Sequence, residues 1–253
     1  MNTIKLHSAI TQDDIQNSTT LEEAAHALSA EARGLGWDLV AFHKDIKANE
    51  LPRNQVGDFV ASSMGWSREC LTTWAASEMA AVCPISMRCS VTDAPFAWYP
   101  DPEHGIWRDH ALNGRSVEAL ALYGTCLAAA VTVPVRRRSG HGYVSWCTLD
   151  KSRMAGLCEE HYASMFLTSH LFMQQIDHME VAHYRGLQCF LTAREEECLT
   201  WAARGKTAEE IGLILRRSRE TARFHLRNAA AKLEATNRTH AVARACGMGL
   251  ISV

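Results

Sequence analysis

Near its C-terminus this chain of 253 residues contains the stretch Thr207-Ala-Glu-Glu-Ile-Gly-Leu-Ile-Leu-Arg-Arg-Ser218-Arg-Glu-Thr-Ala-Arg-Phe-His-Leu-Arg-Asn-Ala-Ala-Ala-Lys-Leu233. Thr207 and Glu210 have the spacing of a capping box, in which the threonine hydroxyl and the glutamate carboxylate bind each other's backbone amides at a helix start. Ser218 is a favourable N-cap for a second helix. The stretch therefore predicts two short helices joined by a tight turn.

The second of these helices carries two different stripes of side chains. Small and apolar residues recur at helical spacing and form a stripe that packs against the rest of the domain, namely Ala222, Leu226, Ala229 and Leu233. Arginines at positions i, i+4 and i+8 form a neighbouring stripe, namely Arg219, Arg223 and Arg227. One face for the core and an adjacent basic face are typical of a recognition helix that enters a groove of double-stranded DNA. The pattern predicts a helix-turn-helix.

Two further helices are predicted on either side of this stretch. Thr192 and Glu195 repeat the capping-box spacing, so a helix begins there. Asn237 is suited to cap a last helix over Arg238–Cys246. The C-terminal region is therefore predicted to be a small all-α domain.

This C-terminal segment resembles the helix-turn-helix domain of the LuxR family of bacterial regulators. The matching residues are spread over the whole segment: Leu191-Thr-Ala-Arg-Glu195, Trp201, Gly205-Lys-Thr207, Glu210-Ile211, Ile214-Leu215, Ser218, Thr221, His225, Lys232-Leu233, Asn237-Arg238 and Gly249-Leu-Ile251. Ala222 departs from the family, which has Val there, and we expect little functional effect from this smaller core residue. The resemblance implies a homodimer on a dyad-symmetric promoter site, with RNA polymerase as a further partner.

The resemblance also implies roles for individual side chains at the DNA. Arg223 and Arg227 are the candidates for contacts with base edges, and guanine O6 and N7 are the natural partners of an arginine. The candidates for phosphate contacts, which set the register, are Arg219, Lys206, Ser218, Thr221, Asn228 and Lys232.

Composition and charge limit the remaining possibilities. From Phe190 onward eleven Lys and Arg face seven Asp and Glu, whereas residues 1–189 carry fifteen against twenty-one. A basic C-terminal segment on an acidic N-terminal region is typical of a protein that binds DNA through one of its domains.

No run of eighteen apolar residues is present and the N-terminus lacks a signal peptide's apolar core, so we expect a cytoplasmic protein without a membrane span. Nine cysteines without CxxC spacing are then expected to be reduced.

The sequence lacks the patterns of an enzyme or a metalloprotein. It has no Gly-rich phosphate loop and no recognisable Ser-His-Asp or Cys-His arrangement, so we expect no catalytic activity and no cofactor. Four histidines on one predicted helix lack the i, i+4 spacing of a metal site, namely His161, His170, His178 and His183.

The N-terminal body mixes helices and strands. The predicted helices cover residues 20–33, 67–77, 116–128 and 155–183, and the predicted strands cover residues 37–43, 56–62, 93–98, 130–135 and 141–148. Arg136–Gly140 is predicted to be a solvated hairpin turn rather than a phosphate contact. Strands flanked by helices on both faces indicate an α-β-α sandwich. The predicted α+β organisation is a sandwich domain over 1–183, a linker over 184–190 and the helix-turn-helix domain over 191–253.

This body resembles the N-terminal domain of the LuxR family, which binds a small diffusible signal, most often an acyl-homoserine lactone. Cys83-Pro84 falls where the family has Asp-Pro, and Ala94-Pro-Phe-Ala-Trp98 falls where it has a strand that ends in Trp. Thr132-Val-Pro134 and Val144-Ser145 match the last two strands. The resemblance implies a ligand pocket lined by Trp66, Cys70, Trp74, Cys83, Phe96, Trp98, Ala130 and Ser145.

The departures from the family alter this pocket. Cys70 stands where the family has the Trp that donates to the lactone carbonyl, and Trp74 stands where it has a Tyr. Cys83 replaces the Asp that accepts the amide proton of the signal, and Ala130 replaces a Gly. A charged acceptor is worth roughly 1.5–3 kcal/mol, so its loss should weaken lactone binding about ten- to a hundredfold. We therefore expect a different small-molecule signal, as in the unpaired, "solo" LuxR receptors.

Several alternatives stay open at this point. An ordinary acyl-homoserine lactone receptor is one, because a shift of one helical turn would give Trp66 the role assigned to Cys70. Cys70 and Cys83 are interpreted as apolar pocket lining rather than as a redox pair. A phosphorylation-driven response regulator shares the C-terminal domain, and a ligand-binding protein without promoter activity would share the N-terminal one.

Overall fold

The computed structural model describes residues 12–48, 50–76, 83–101, 103, 105–107, 114–137, 140–186 and 191–251. The chain divides into two compact units, Met1–Met179 and Glu180–Val253. Each unit has its own cluster of buried apolar side chains.

The described residues up to Gly186 form seven helical and four strand elements, of which only the end of the last helix extends beyond the first unit. They are α1 (residues 12–17), α2 (Leu21–Gly34), β1 (Leu39–His43), α3 (Val60–Ser63), α4 (Arg68–Ala76), α5 (Pro84–Val91), β2 (Phe96–Trp98), α6 (Gly114–Cys126), β3 (Ala129–Arg137), β4 (Gly140–Thr148) and α7 (Met154–Gly186). Short 3-10 turns cover Gly105–Trp107 and Lys151–Arg153. The capping box predicted at the start of α2 is confirmed, with Thr20 and Glu23 as its members.

The four strands form one antiparallel sheet in the order β1-β4-β3-β2. Its register places His43 opposite Tyr143, and Ser145 opposite both Ala41 and Thr132. Residues directly opposite each other in an antiparallel pair point to the same face of the sheet. The register therefore assigns every strand residue to one of two faces.

One face of the sheet packs against the long helix α7. Phe42 makes an edge contact with Phe172, with ring centroids 4.8 Å apart. The indole of Trp146 donates to the Ser169 hydroxyl at 3.0 Å. The opposite face, which carries His43, is covered by α4 and α5, since His43 contacts Trp74 and α5 packs on β3 and β4. The predicted α-β-α sandwich is confirmed.

The structure corrects three local predictions. Residues 56–62 are not a strand, because α3 occupies Val60–Ser63 and only an isolated bridge joins Arg53 to Phe59. Residues 184–186, predicted to belong to the linker, continue α7, and 187–190 lie outside the described residues. Arg137 is part of β3 rather than of a solvated turn, since its buried side chain pairs with Asp177 at 2.8 Å.

The antiparallel sheet also excludes the response-regulator alternative. A receiver domain has the doubly wound parallel sheet of the flavodoxin-like fold, whereas all three strand pairings here are antiparallel. None of the described helices is long and apolar enough to cross a membrane.

Among the described residues from 191 onward, the second unit contains four helices, α8 (Ala193–Ala203), α9 (Ala208–Ile214), α10 (Arg219–Lys232) and α11 (Arg238–Gly247). The capping boxes predicted at the starts of α8 and α9 are both present. The Ser218 side chain accepts from the Thr221 amide, and the Asn237 side chain accepts from the His240 amide. These caps confirm the predicted starts of α10 and α11.

Candidate functional sites

The turn between α9 and α10 is held by a close backbone approach. The Arg217 amide donates to the Gly212 carbonyl at 2.7 Å, and Arg216 adopts a positive φ of 53°. A Cβ atom added to Gly212 would lie 2.9 Å from the Arg217 carbonyl oxygen. Glycine at this position therefore lets the turn cross α9 closely, and this crossing sets the direction in which α10 leaves.

Helix α10 separates an inner face from a charged outer face. Ala222, Leu226 and Ala229 are buried in the core of the second unit, together with Leu233 just after the helix. The three predicted arginines are all exposed, namely Arg219, Arg223 and Arg227. Arg223 lies 3.7 Å from the exposed carboxylate of Glu220, and such exposed pairs are weak. The guanidinium groups are thus available to a nucleic acid.

The candidate phosphate-binding residues have different surroundings. The Ser218 hydroxyl lies 2.8 Å from the Thr221 hydroxyl, and Lys206 pairs with Glu210 at 3.4 Å with both side chains well exposed. Asn228 is half-buried. Lys232 instead donates to Glu195 at 2.7 Å, so its ammonium group is already engaged.

The Lys232–Glu195 pair ties α10 to the start of α8. The Glu195 side chain is 4% exposed and also accepts from the Thr192 amide at 2.7 Å. Burial raises the pKa of Glu195, but Lys232 and Thr192 outweigh that effect and leave the pKa below its usual value. This pair has a structural role, which makes Lys232 the weakest of the phosphate candidates.

Two side chains of the DNA-binding unit were not predicted as functional. Phe224 is 49% exposed on the outer face of α10, with the Arg227 guanidinium 6.0 Å from its ring centroid. Arg238 donates to the Ala202 carbonyl at 3.3 Å and to the Lys206 carbonyl, so it holds the end of α8. The position of Phe224 beside the arginine stripe was a sequence signal that could have identified it. No sequence signal identifies the partners of Arg238, because they are brought together only by the tertiary fold.

The eight residues predicted to line the ligand pocket are all buried in the first unit. Those in strands share the sheet face under α4 and α5, namely Phe96, Trp98, Ala130 and Ser145. Cys70 and Trp74 lie on α4, Trp66 precedes that helix, and Cys83 is the N-cap of α5. The structure therefore places the candidates on the sheet and on the helices that cover it.

A short chain of hydrogen bonds crosses this sheet face. The Trp98 indole donates to the Thr132 hydroxyl at 2.8 Å, and the hydroxyls of Thr132 and Ser145 lie 2.6 Å apart. Thr132 and Ser145 are both buried. Trp98, Thr132 and Ser145 thus form a preorganised polar group. Trp98 and Ser145 were predicted from the sequence as pocket residues, whereas Thr132 was not.

The indole of Trp66 is already engaged in a hydrogen bond. It donates to the Val40 carbonyl at 2.8 Å, and its ring meets Tyr123 edge-on at a centroid distance of 5.9 Å. A ligand carbonyl would have to displace the Val40 bond to reach this donor. This geometry favours Trp66 as apolar lining. Cys70 then keeps the position at which the family has the tryptophan that donates to the lactone carbonyl.

The buried cysteines are poor nucleophiles in these surroundings. Burial raises the pKa of Cys70 to about 12, and the nearby Cys126 adds to this effect. Burial also raises the pKa of Cys83, against hydrogen bonding from Ser86 and Ile85. Both thiols are free, and since the thiolate is the reactive form, burial disfavours their reaction.

Further residues share this region but were not predicted. His43, Tyr143 and Cys147 share the face of Ser145, and Tyr123 comes from α6. Strand alternation from Ser145 would have identified Tyr143 and Cys147, since both lie two residues away on the same strand. Among the described residues no group of three or more His, Cys, Asp or Glu side chains is placed to hold a metal ion.

Comparison with known proteins connects both regions to one family. Residues 190–245 match the family described as bacterial regulatory proteins, luxR family. The HTH-type quorum sensing-dependent transcriptional regulator RpaR of Rhodopseudomonas palustris is 31% identical over 190 residues, covering 74% of this chain and 73% of RpaR. Escherichia coli SdiA has the same fold, with a TM-score of 0.70, 20% identity and coverage of 97% and 98%. SdiA in complex with octanoyl-rac-glycerol gives a TM-score of 0.58 at 20% identity, with coverage of 97% and 96%.

Proposed function

This chain belongs to the LuxR family of transcriptional regulators, and we propose that it binds a dyad-symmetric promoter site as a homodimer in response to a small molecule. The observation that carries the proposal is α10, whose inner stripe is buried while Arg219, Arg223 and Arg227 are exposed. Promoter binding places its action in the bacterial cytoplasm, and RNA polymerase is a further proposed partner. Neither domain needs a catalytic step for this activity.

At the DNA, Arg223 and Arg227 contact base edges in the major groove and favour guanine. Bidentate binding of an arginine to guanine O6 and N7 is the commonest specific contact. Arg219, Lys206, Ser218, Thr221 and Asn228 contact phosphates and set the register, with Lys232 in a supporting role through Glu195. Ser218 and Thr221 lie at the N-terminus of α10, where free backbone amides favour a phosphate.

Dimerisation proceeds through the N-terminal unit along α7. Three aromatic rings follow each other on the exposed side of this helix: Tyr162, Phe166 and His170 have successive centroid distances of 6.5 Å and 4.2 Å. Tyr162 is 52% exposed, and Leu167 beside Phe166 is exposed as well. A second copy that covers this row removes apolar surface from water, which is the main driving force for association.

The ligand binds between the sheet and α4 and α5, and it is a molecule other than a standard acyl-homoserine lactone. Cys83 offers a protonated, buried thiol in place of a charged acceptor, so a lactone amide lacks its strong partner. The SdiA complex with octanoyl-rac-glycerol supports this proposal, because a protein of the same fold accommodates a ligand without an amide.

DNA selection from a random oligonucleotide pool by the full-length protein tests the regulatory function. We expect dyad-symmetric sequences to be enriched, with binding that weakens as salt is raised, because phosphate contacts release counterions. A protein that binds no DNA in low salt would instead be a ligand carrier.

Thermal unfolding with a panel of compounds tests the ligand proposal. A ligand that binds only the folded state raises the melting temperature in proportion to its concentration over its Kd. We expect a larger increase with non-lactone compounds than with N-octanoyl-homoserine lactone. A large increase with the lactone at low concentration would favour the second candidate, an acyl-homoserine lactone receptor.

A further inference from the structure

His43 is a buried histidine with unsatisfied hydrogen-bonding capacity. It is the last residue of β1 and only 3% exposed, and neither ring nitrogen makes a hydrogen bond of ordinary geometry. Buried polar groups in folded proteins are nearly always hydrogen-bonded. An imidazole that makes no well-formed hydrogen bond therefore marks a place where a partner from outside the chain is expected.

The surroundings of His43 are aromatic and keep it neutral. Its ring stacks on Tyr143 at a centroid distance of 5.8 Å and lies 5.3 Å from the ring of Trp74 on α4. Burial lowers the pKa of His43, and the backbone and carboxylate of Asp45 oppose this shift more weakly. A neutral imidazole offers one N–H donor and one lone-pair acceptor. His43 can thus give and accept one hydrogen bond each.

Two more polar groups with unsatisfied hydrogen-bonding capacity lie on the elements around the same sheet face. The Ser86 hydroxyl of α5 is buried and makes no hydrogen bond of ordinary geometry, although it is close enough to Cys83 and Tyr143 to lower the pKa of both against the opposing effect of burial. The buried indole N–H of Trp107 makes no hydrogen bond of ordinary geometry either, and its ring lies 5.9 Å from Trp98. Polar groups that could bind a ligand thus come from β1, α5 and the 3-10 turn Gly105–Trp107.

We propose that His43 is the hydrogen-bonding group for an uncharged ligand that carries a hydrogen-bond donor, a hydroxyl or an amide N–H, on an apolar body. This inference rests on the proposed ligand site and names the chemistry that the site recognises. The imidazole lone pair accepts from the ligand donor, while Trp74 and Tyr143 pack on the apolar part. The imidazole, rather than Cys83, supplies the acceptor of this pocket.

The ligand is uncharged because the described groups around His43 offer it no free counter-ion. The carboxylate of Asp45 acts on His43, but it already accepts a hydrogen bond from the Lys47 amide at 2.9 Å. The other described side chains named beside His43 and Ser86 are rings, a phenol and thiols, all uncharged. An ionised group brought into such surroundings would lose its hydration without gaining a counter-ion. A neutral hydroxyl or amide loses far less hydration free energy, and the hydrogen bond to His43 compensates for that loss.

Three probes with the same acyl chain test this inference on the full-length protein. Octanoyl-rac-glycerol carries hydroxyl donors, N-octanoyl-homoserine lactone carries an amide donor, and methyl octanoate carries no donor. Binding is measured as the rise in melting temperature over a concentration series, from which the relative Kd follows. We expect at least one donor-bearing probe to bind about tenfold or more tightly than methyl octanoate. The tighter of the two donor-bearing probes identifies the kind of donor.

Variants at one strand position separate the hydrogen bond from packing. His43→Phe keeps a ring between Trp74 and Tyr143 and should abolish the preference for the donor-bearing probe, whereas His43→Gln should retain part of it. Phe42→Leu is the matched control, since Phe42 is the preceding residue of β1 but packs on Phe172 at the other face. It should lower the melting temperature of the free protein and keep the preference.

The inference is overturned if wild-type protein binds all three probes equally, or if His43→Phe keeps the full preference. Selection of a DNA site by the wild-type protein is measured separately and does not depend on His43. A protein that selects a dyad-symmetric site but shows no donor preference would refute the role of His43 and leave the regulatory function standing. A protein that shows the preference but selects no DNA would refute the regulatory function instead.

Discussion

At the scale of single residues, Arg227 provides the sharpest test of the DNA-binding surface. It is exposed on the outer face of α10, one turn from Arg223. We predict that Arg227→Ala costs about 1–3 kcal/mol of binding free energy at one base pair and relaxes the sequence preference there. Selection of DNA sites by the variant, followed by titration of single-base changes, measures both effects.

The control for this prediction is Arg204→Ala, which removes an exposed arginine at the end of α8. It should leave the selected sequence unchanged and weaken all sequences to the same small extent. A uniform loss for Arg227→Ala as well would show that Arg227 contacts a phosphate instead of a base.

Cys83 provides a test of the proposed class of ligand. It is the N-cap of α5 without a side-chain cap, so Asp at this position can accept from free amides of the first turn. We predict that Cys83→Asp folds and binds N-octanoyl-homoserine lactone about ten- to a hundredfold more tightly, because a charged acceptor is worth roughly 1.5–3 kcal/mol. Thermal unfolding over a lactone concentration series measures the change in Kd.

Cys83→Asn separates the charge from the cap, since Asn also caps a helix but stays neutral. Its gain in lactone affinity should be clearly smaller than that of Cys83→Asp. Equal gains in both variants would mean that the amide of the lactone does not reach this position.

At the scale of elements, Gly212 controls how α9 and α10 meet. An alanine there would place its Cβ 2.9 Å from the Arg217 carbonyl oxygen and 3.1 Å from the Arg219 nitrogen, both backbone atoms. Crowding of this kind costs typically ~1–3 kcal/mol, which outweighs the gain of up to about 1 kcal/mol from replacing a helical glycine. We predict that Gly212→Ala lowers both the stability of the C-terminal unit and its DNA affinity, as measured by thermal unfolding and titration.

Gly247 in α11 is the matched control, because a Cβ added there meets no heavy atom within 4 Å. Gly247→Ala should leave DNA binding unchanged and should not destabilise the protein. A Gly212→Ala variant as stable as the control would show that the turn accommodates a side chain by moving.

The ion pair between α8 and α10 predicts a dependence of stability on pH. The pKa of Glu195 is lowered in the folded chain, despite burial, by Lys232 and Thr192. The stabilisation is therefore fully present above the ordinary glutamate pKa of about 4.3 and is lost as the pH falls through the lower folded value. Glu195→Gln should thus destabilise α8 and α10 at neutral pH, and the difference from wild type should shrink in acid.

Hydrogen exchange of the α8 and α10 amides measures this effect locally, without interference from the N-terminal unit. At neutral pH the loss should be about 1.5–3 kcal/mol, the usual contribution of a hydrogen bond to a charged group. A difference from wild type that stays constant down to pH 3 would mean that the charge of Glu195 does not contribute.

At the scale of the whole molecule, the proposed homodimer has a testable consequence for the DNA sites that are bound. Two recognition helices in a dimer contact half-sites about 10 bp or a multiple apart, on one side of the duplex. We predict that inserting about 5 bp between the half-sites of a selected operator turns them to opposite sides and lowers affinity by about 10²-fold or more. Titration of full-length protein with both operators measures the loss.

A single half-site provides the reference for this experiment, because it can engage only one recognition helix. The operator with 5 bp inserted should bind about as weakly as the single half-site. Unchanged affinity after the insertion would show that the protein binds as a monomer or that the two DNA-binding units move freely.

Most of the local structure, and the resemblance to the family, were readable from sequence patterns alone. Thr192, Thr207, Ser218 and Asn237 cap the four C-terminal helices as predicted, because a cap depends on residues only three positions apart. The resemblance to the family predicted Trp98 and Ser145 as pocket residues, and the register of the sheet places both on the same face. The short segment after residue 55 was misassigned, since a few apolar residues do not distinguish a strand from one turn of helix.

The hydrogen bonding of individual buried polar groups became visible only in the folded structure. Trp66 donates to Val40, which lies 26 positions away in the sequence, and Lys232 donates to Glu195, which lies 37 positions away. Neither hydrogen bond is therefore visible in a local sequence pattern. His43 looks like an ordinary strand residue in the sequence, and its missing hydrogen bonds appear only when α4 and β4 close around it. Hydrogen bonding of buried groups depends on neighbours that folding brings together, which is why the DNA-binding surface was readable from the sequence and the chemistry of the ligand pocket was not.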